Sequence, residues 1–164
     1  MKALAPTDLA FFDHASVRIQ QRVVVPADPT RVFAALADPS GWTRWFPGMY
    51  EAAWTSAGVA GLGAERLVKL RLYGHFVERM IAWEPGRRFA FTMVGTTSPM
   101  ARALAEDYRL TGNPDGTTTL DWCMATEPTM LGRIAMPAMK PIMRRMFGKA
   151  GAGLAAYLQA HDAA

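Results

Sequence analysis

The chain has 164 residues and a mass of 18.0 kDa, which suits one domain and leaves no room for a second catalytic module. Hydrophobic residues make up 51% and charged residues 20%, which excludes a disordered tail or a low-complexity scaffold. Lys and Arg total 18 against 14 Asp and Glu, a net charge of +4, which permits anionic partners without demanding them.

Residues 1–15 read as a loose leader. Ser16 to Val25 is rich in Val and Ile and reads as the first strand, stopped by Pro26. Asp28-Pro29-Thr30 starts a helix, with Asp28 as N-cap and Pro29 in the first turn. Asp38-Pro39 ends it, and Ser40 is placed to cap a second short helix carrying Trp42, Trp45 and Phe46. Strands are then expected over Met49–Ser56, Glu65–Tyr73, His75–Trp83, Arg87–Val94, Ala103–Thr111 and Thr117–Thr126. The turns between them are marked by Gly74, by Glu84-Pro85-Gly86 and by Asn113-Pro114-Asp115-Gly116. Thr129 to about Ala160 reads as one helix. Pro137 and Pro141 predict a kink or restart in its first half. Gly148, Gly151 and Gly153 predict either close packing or a weakened turn.

This order gives an α+β class: a strand, two short helices, six more antiparallel strands and a long helix to cover the sheet. Alternation sets the inner face. Phe89, Phe91 and Met93 point inward on one strand, and Leu120, Trp122 and Met124 on the last. Leu104 and Leu110 share their phase with Glu106 and Tyr108, and Val68, Leu70 and Leu72 share theirs with Arg66. Over 75–83 the sets Phe76, Glu78, Met80 and Val77, Arg79, Ile81 compete. On the last helix Met136, Met139, Met143 and Met146 form an apolar stripe that suits either core or pocket.

Arg66, Glu106 and Tyr108 are thus polar groups on apolar faces. A buried charge without a partner costs several kcal/mol, on the order of 3–5. They must pair, as Arg66 with Glu106, reach a wet cavity mouth, or orient a ligand. Phe89, Phe91, Trp122, Met124, Met139 and Met143 would supply the apolar contact.

No metal-ligand spacing links His14, His75 and His161, so no metal site or cofactor is expected. Cys123 is the only cysteine, which suits a reducing compartment, and no run of 18 apolar residues occurs. A cytoplasmic protein is the expectation. No nucleic-acid-binding motif is present. Lys140, Arg144, Arg145 and Lys149 cluster at helical spacing, either a solvated face or a patch for anionic lipid, so peripheral membrane contact stays open. Acid–base chemistry would fall to Glu78, Glu106, Tyr108 or Arg66, with Glu106 and Tyr108 as the catalytic candidates.

Several segments taken together resemble a known family. They are Val23-Val24-Val25-Pro26-Ala27-Asp28-Pro29-Thr30-Arg31-Val32-Phe33, Leu36-Ala37-Asp38-Pro39, then Trp42, Trp45 and Phe46-Pro47-Gly48. Glu78 and Trp83-Glu84-Pro85-Gly86-Arg87-Arg88-Phe89 follow. In order and spacing these resemble the polyketide cyclase/dehydrase and lipid-transport family of the START-like (SRPBCC) superfamily, over residues 16–160. The resemblance implies a helix-grip fold, with a seven-stranded antiparallel sheet around a long C-terminal helix and an internal apolar cavity. It implies a hydrophobic ligand such as a lipid, quinone or polyketide-like molecule, bound by a carrier or sensor. It leaves open a cyclase or dehydratase, a membrane-surface or protein-interaction module, and either a monomer or a homodimer.

Overall fold

The computed structural model describes residues 1–58 and 60–161. In chain order the elements are β1 (Lys2–Ala3), α1 (Phe11–His14), β2 (Val17–Val25), α2 (Pro29–Ala37), α3 (Pro39–Trp45) and β3 (Met49–Trp54). Then come β4 (Glu65–Leu70), β5 (Gly74–Glu84), β6 (Arg88–Thr96), β7 (Ala101–Gly112), β8 (Thr118–Pro128) and α4 (Met130–Ala160). Two aspartates set the helix pair. The Asp28 carboxylate accepts from the Thr30 and Arg31 amides at the start of α2, and Asp38 accepts from the Ser40 amide at the start of α3. The second cap is therefore Asp38, one position ahead of Pro39, and not Ser40.

Seven strands form an antiparallel sheet in the order β2-β8-β7-β6-β5-β4-β3. The sheet bends where the ladder slips. Register shifts between Val77 and Glu78 and between Met80 and Ala82 bend the β5–β6 ladder, and burial settles the phase of β5: Glu78 and Met80 face inward. The strand from Glu65 stops at Leu70, three residues earlier than expected, because Arg71–Tyr73 form the turn. Leu72 therefore leaves the inner face of Val68 and Leu70 and projects into solvent.

Helix α4 runs unbroken through Pro137 and Pro141, so the expected restart does not occur. Thr129 caps it by accepting from the Gly132 amide. Its C-terminal half lies against β2 and α3. Phe147, Ala150, Leu154 and Leu158 join a core that includes Ile19, Leu36, Trp42, Phe89 and Leu120. A Cβ on Gly151 would meet Val23 Cγ2 at 2.5 Å, and one on Gly153 would run into the Trp45 carbonyl. These two glycines mark close packing. Gly148 has nothing within 4 Å of that position.

Residues 1–15 are not loose. β1 pairs with β6, Lys2 opposite Thr96 and Ala3 opposite Gly95. The Leu4 amide donates to the Val94 carbonyl and the Ala5 amide to the Arg102 carbonyl, so this segment bridges β6 and β7 where those strands separate. Phe11 and Phe12 are buried on the outer face of the sheet against Ala103, Ala105 and Ala125. Alanines give little apolar signal in a sequence, yet here they form the seat for two phenylalanine rings, each worth roughly 1.5–3 kcal/mol when buried.

Candidate functional site

Two spaces lie between the inner face of the sheet and α4. The outer, of about 380 Å³, opens to solvent among the β4–β5 turn, the loop after β6 and the first half of α4. The inner, of about 70 Å³, sits deeper, beneath Trp42, Phe46 and Phe147. Tyr73, Phe76, Leu104, Met124 and Met143 border both, so these five side chains separate a mouth from a chamber. Glu78 and Glu106 are the charged side chains bordering the chamber. A groove of about 570 Å³ on the opposite face of the sheet is a weaker candidate, because most of its charges are already paired. There Arg22 pairs with Asp121 and Arg109 with Asp107, which also bonds Arg88 beside the groove.

Six of the expected contact residues border these spaces: Glu78, Phe91, Glu106, Met124, Met139 and Met143. Arg66, Phe89, Tyr108 and Trp122 border neither and form the layer behind them. The Met stripe faces the cavity, with Met136 and Met139 at the mouth and Met146 at the chamber. Leu104, Tyr73 and Phe76 also line these spaces and were not expected to. Leu104 carried a signal, since it shares the inward phase of β7 with Glu106. Phe76 lay on the strand whose phase was ambiguous.

The polar residues separate into two groups, and the expected Arg66–Glu106 pair is not among them. The pairing is instead with Glu78, directly opposite on β5: Arg66 Nε donates to Glu78 Oε2. Arg66 is fully buried, and Nη1 donates to the Leu36 carbonyl at 3.3 Å. Among the described residues Nη2 has no hydrogen-bond partner. The guanidinium carbon instead lies 4.1 Å from the Trp42 ring centroid and 5.1 Å from that of Phe91, a cation–π setting that offsets part of the burial cost. Burial pushes the Glu78 carboxyl above its ordinary range, and Arg66 holds it back.

Glu106 belongs to the second group. Its Oε2 accepts from the Tyr108 hydroxyl at 2.6 Å and from Trp122 Nε1 at 3.0 Å. Alternation on β7 and the antiparallel register with β8 make this arrangement possible, since Tyr108 lies opposite Trp122 and Glu106 opposite Met124. Burial pushes the Glu106 carboxyl up to about 7, against the pull of its two donors and with help from the Glu78 charge. Tyr108 is pushed well above its ordinary value by burial and by the Glu106 carboxylate, so its hydroxyl keeps its proton and serves as a donor. That removes Tyr108 as a base and leaves Glu106 as the titrating group. Tyr108 also stacks on Trp122 at 4.9 Å, and Trp122 meets Phe147 of α4 at 4.3 Å. The rings thus tie the carboxylate's donors to the covering helix.

Among the described residues no cluster of His, Cys, Asp and Glu is arranged to hold a metal ion, and no helix is long and apolar enough to cross a membrane.

The fold is found in many solved structures. A Thermus thermophilus protein, TTHA0849, superposes with a TM-score of 0.74 over 88% of this chain and 99% of its own, at 13% identity. A START superfamily protein of Mycobacterium smegmatis gives 0.65 over 88% and 95%, at 12% identity. The di-domain aromatase/cyclase BexL, of the BE-7585A biosynthetic pathway, gives 0.70 over 87% of this chain and 46% of its own, at 14% identity. No curated protein matches significantly. The family model described as polyketide cyclase/dehydrase and lipid transport matches residues 16–159, and with the sheet, covering helix and cavity now in view, the chain belongs to that family.

Proposed function

We propose that the chain binds a hydrophobic small molecule of lipid, quinone or polyketide-like character between the sheet and α4, as a carrier or sensor. The adjacency of mouth and chamber, which share five lining side chains, supports this most. A space of about 380 Å³ is separated by five shared, adaptable side chains from a smaller chamber with two carboxyl groups at its wall. Small-molecule sites typically occupy roughly 300–1,000 Å³ and combine apolar walls with few polar groups. Methionines among the five re-pack around irregular apolar shapes. Both donors to Glu106 land on Oε2, which leaves Oε1 for a ligand. Below pH 7 the neutral carboxyl donates to a carbonyl or quinone oxygen. Above it, the carboxylate repels such an oxygen.

The test is native mass spectrometry of the purified protein with extraction of its bound molecules, and titration with an apolar fluorophore such as anilinonaphthalene sulfonate. Leu104→Trp, at the boundary between mouth and chamber, should abolish probe binding while leaving the circular dichroism unchanged. Undiminished probe binding by a folded Leu104→Trp, or none by the wild type, overturns the assignment.

A second reading, an enzyme of cyclase or dehydratase type, draws on the placement of Glu106, a buried carboxyl at the chamber wall held by two donors on one oxygen. A carboxyl poised near 7 can both take and give a proton at neutral pH. Glu106→Gln keeps the hydrogen-bond acceptor and removes the proton transfer. Turnover of a polyketone by the wild type, lost in Glu106→Gln with probe binding retained, would favour catalysis over carriage.

A further inference from the structure

The first half of α4 is uncovered. From Met130 to Met146 only Gly132 is buried, and the helix is anchored through Phe147 and the residues after it. Along its outer side Leu131, Ile134, Ala138, Ile142, Arg145 and Lys149 recur at steps of three and four and so form one stripe. All six are exposed. The first four are apolar and the last two cationic. Leu131 is 53% exposed, Ile134 74% and Ile142 57%. Leu72, at the β4–β5 turn, is 90% exposed and sits beside them. It borders the mouth, and it borders a groove of about 240 Å³ shared with Ile142, Arg145 and Lys149. Large apolar side chains concentrated at one such place mark an interaction surface.

Charge identifies the partner. Helix α4 carries five cations, Arg133, Lys140, Arg144, Arg145 and Lys149, and no Asp or Glu. A second copy docked through this helix would set five cations against five. An anionic bilayer complements both parts of the stripe: the acyl boundary takes the apolar side chains, and the headgroups take Arg145 and Lys149. We propose that the outer stripe of α4, together with Leu72, seats the protein on an anionic lipid surface with the cavity mouth at the bilayer. This goes beyond the small-molecule reading and holds whatever the cavity contains.

The test is co-sedimentation of the full chain with phosphatidylcholine vesicles, with and without phosphatidylglycerol, at low and high salt. Binding is expected on the phosphatidylglycerol vesicles, weakened by salt and absent on phosphatidylcholine alone. Arg145→Gln and Lys149→Gln should each weaken it roughly fivefold, as a surface cation contributes about 1 kcal/mol. Ile134→Glu and Leu72→Glu should weaken it at least about tenfold, since each removes an inserted apolar group and adds a repelled charge. All four sites are exposed, so circular dichroism and unfolding midpoints should stay as in the wild type. Wild-type protein that ignores phosphatidylglycerol, equal binding to both vesicle types, or undiminished binding by Ile134→Glu overturns the proposal. So does a wild-type dimer in sedimentation equilibrium that Ile134→Glu converts to monomer, which would make the stripe a self-interface. Leu104→Trp, which plugs the cavity, should still bind vesicles, so failure of the cavity assignment and failure of this one are read separately.

Discussion

The Arg66–Glu78 pair should respond asymmetrically to loss of its two members. Glu78→Leu leaves a fully buried guanidinium with no anion hydrogen-bonded to it, and arginine cannot shed its proton to escape. Breaking a buried pair this way costs about 3–5 kcal/mol. Arg66→Met leaves a carboxyl that burial already pushes upward, and that group can take up a proton. Its cost at low pH should be about 1–3 kcal/mol, including the lost stacking over Trp42. The pH dependence follows from the same shift. With Arg66 gone, the folded-state pKa of Glu78 lies still further above its unfolded value, so the folded chain binds more protons than the unfolded chain. Stability of Arg66→Met is therefore greatest below the unfolded pKa and falls as pH rises. Arg66→Met with Glu78→Leu removes both charges and should return to within about 1–2 kcal/mol of the wild type. Urea unfolding followed by tryptophan fluorescence at pH 5 and pH 8 measures all four proteins. At a slope of about 2 kcal/mol/M, the Glu78→Leu loss lowers the midpoint by about 1.5–2.5 M. Equal, pH-independent losses in the two single variants, adding in the double, would refute this account of the pair.

Glu106, raised to about 7, contributes stability that is fully present below its unfolded value near 4.5 and is lost as pH rises through 7. The span amounts to up to about 3 kcal/mol, and Glu106→Gln should flatten that part of the stability–pH curve; an unchanged slope would place the proton elsewhere. Gly148→Ala should stabilise by up to about 1 kcal/mol, having open space around it, whereas Gly153→Ala should destabilise despite the same propensity gain, because its Cβ meets the Trp45 carbonyl. Thermal midpoints of opposite sign are the expected result, and a stabilised Gly153→Ala would contradict the close approach of α4 to α3. Phe12→Ala should cost about 3 kcal/mol in denaturant unfolding without altering probe binding, and a loss below about 0.5 kcal/mol would mean the leader adds nothing to the fold.

The sheet was legible because its signals are local. Glu84-Pro85-Gly86 and Asn113-Pro114-Asp115-Gly116 fix two hairpins, and unbroken alternation gives the inner faces of β6 and β8. The partner of Arg66 was not legible, because two phases of 75–83 both carried apolar residues and the pairing with Glu78 depends on the register that the Arg71–Tyr73 turn sets between β4 and β5. Arg66 and Glu106 were both recognised as anomalies, but their true partners depend on which strands are neighbours and in what register. The methionine stripe was visible from its spacing, while its orientation toward the cavity depends on where the helix is anchored, at Phe147 and beyond. The packed leader escaped because its seat is built of alanines, and hydrophobic periodicity weighs these too lightly.

The bridge made by residues 2–5 also bears on the order in which the molecule assembles. Its receiving site is the gap between β6 and β7, more than ninety positions away in the chain for the pairing of Lys2 with Thr96. That gap does not exist until both strands are in place, and closing so long a loop around two short strand segments gains few hydrogen bonds at a high entropic cost. The amino-terminal end should therefore be the last part of the sheet to zip up and the first to fray. Amide hydrogen exchange at Leu4 and Ala5 should run ahead of exchange in β7 and β8. Because the same gap lies next to the loop bordering the cavity mouth, a fraying event there would loosen the doorway without unfolding the domain.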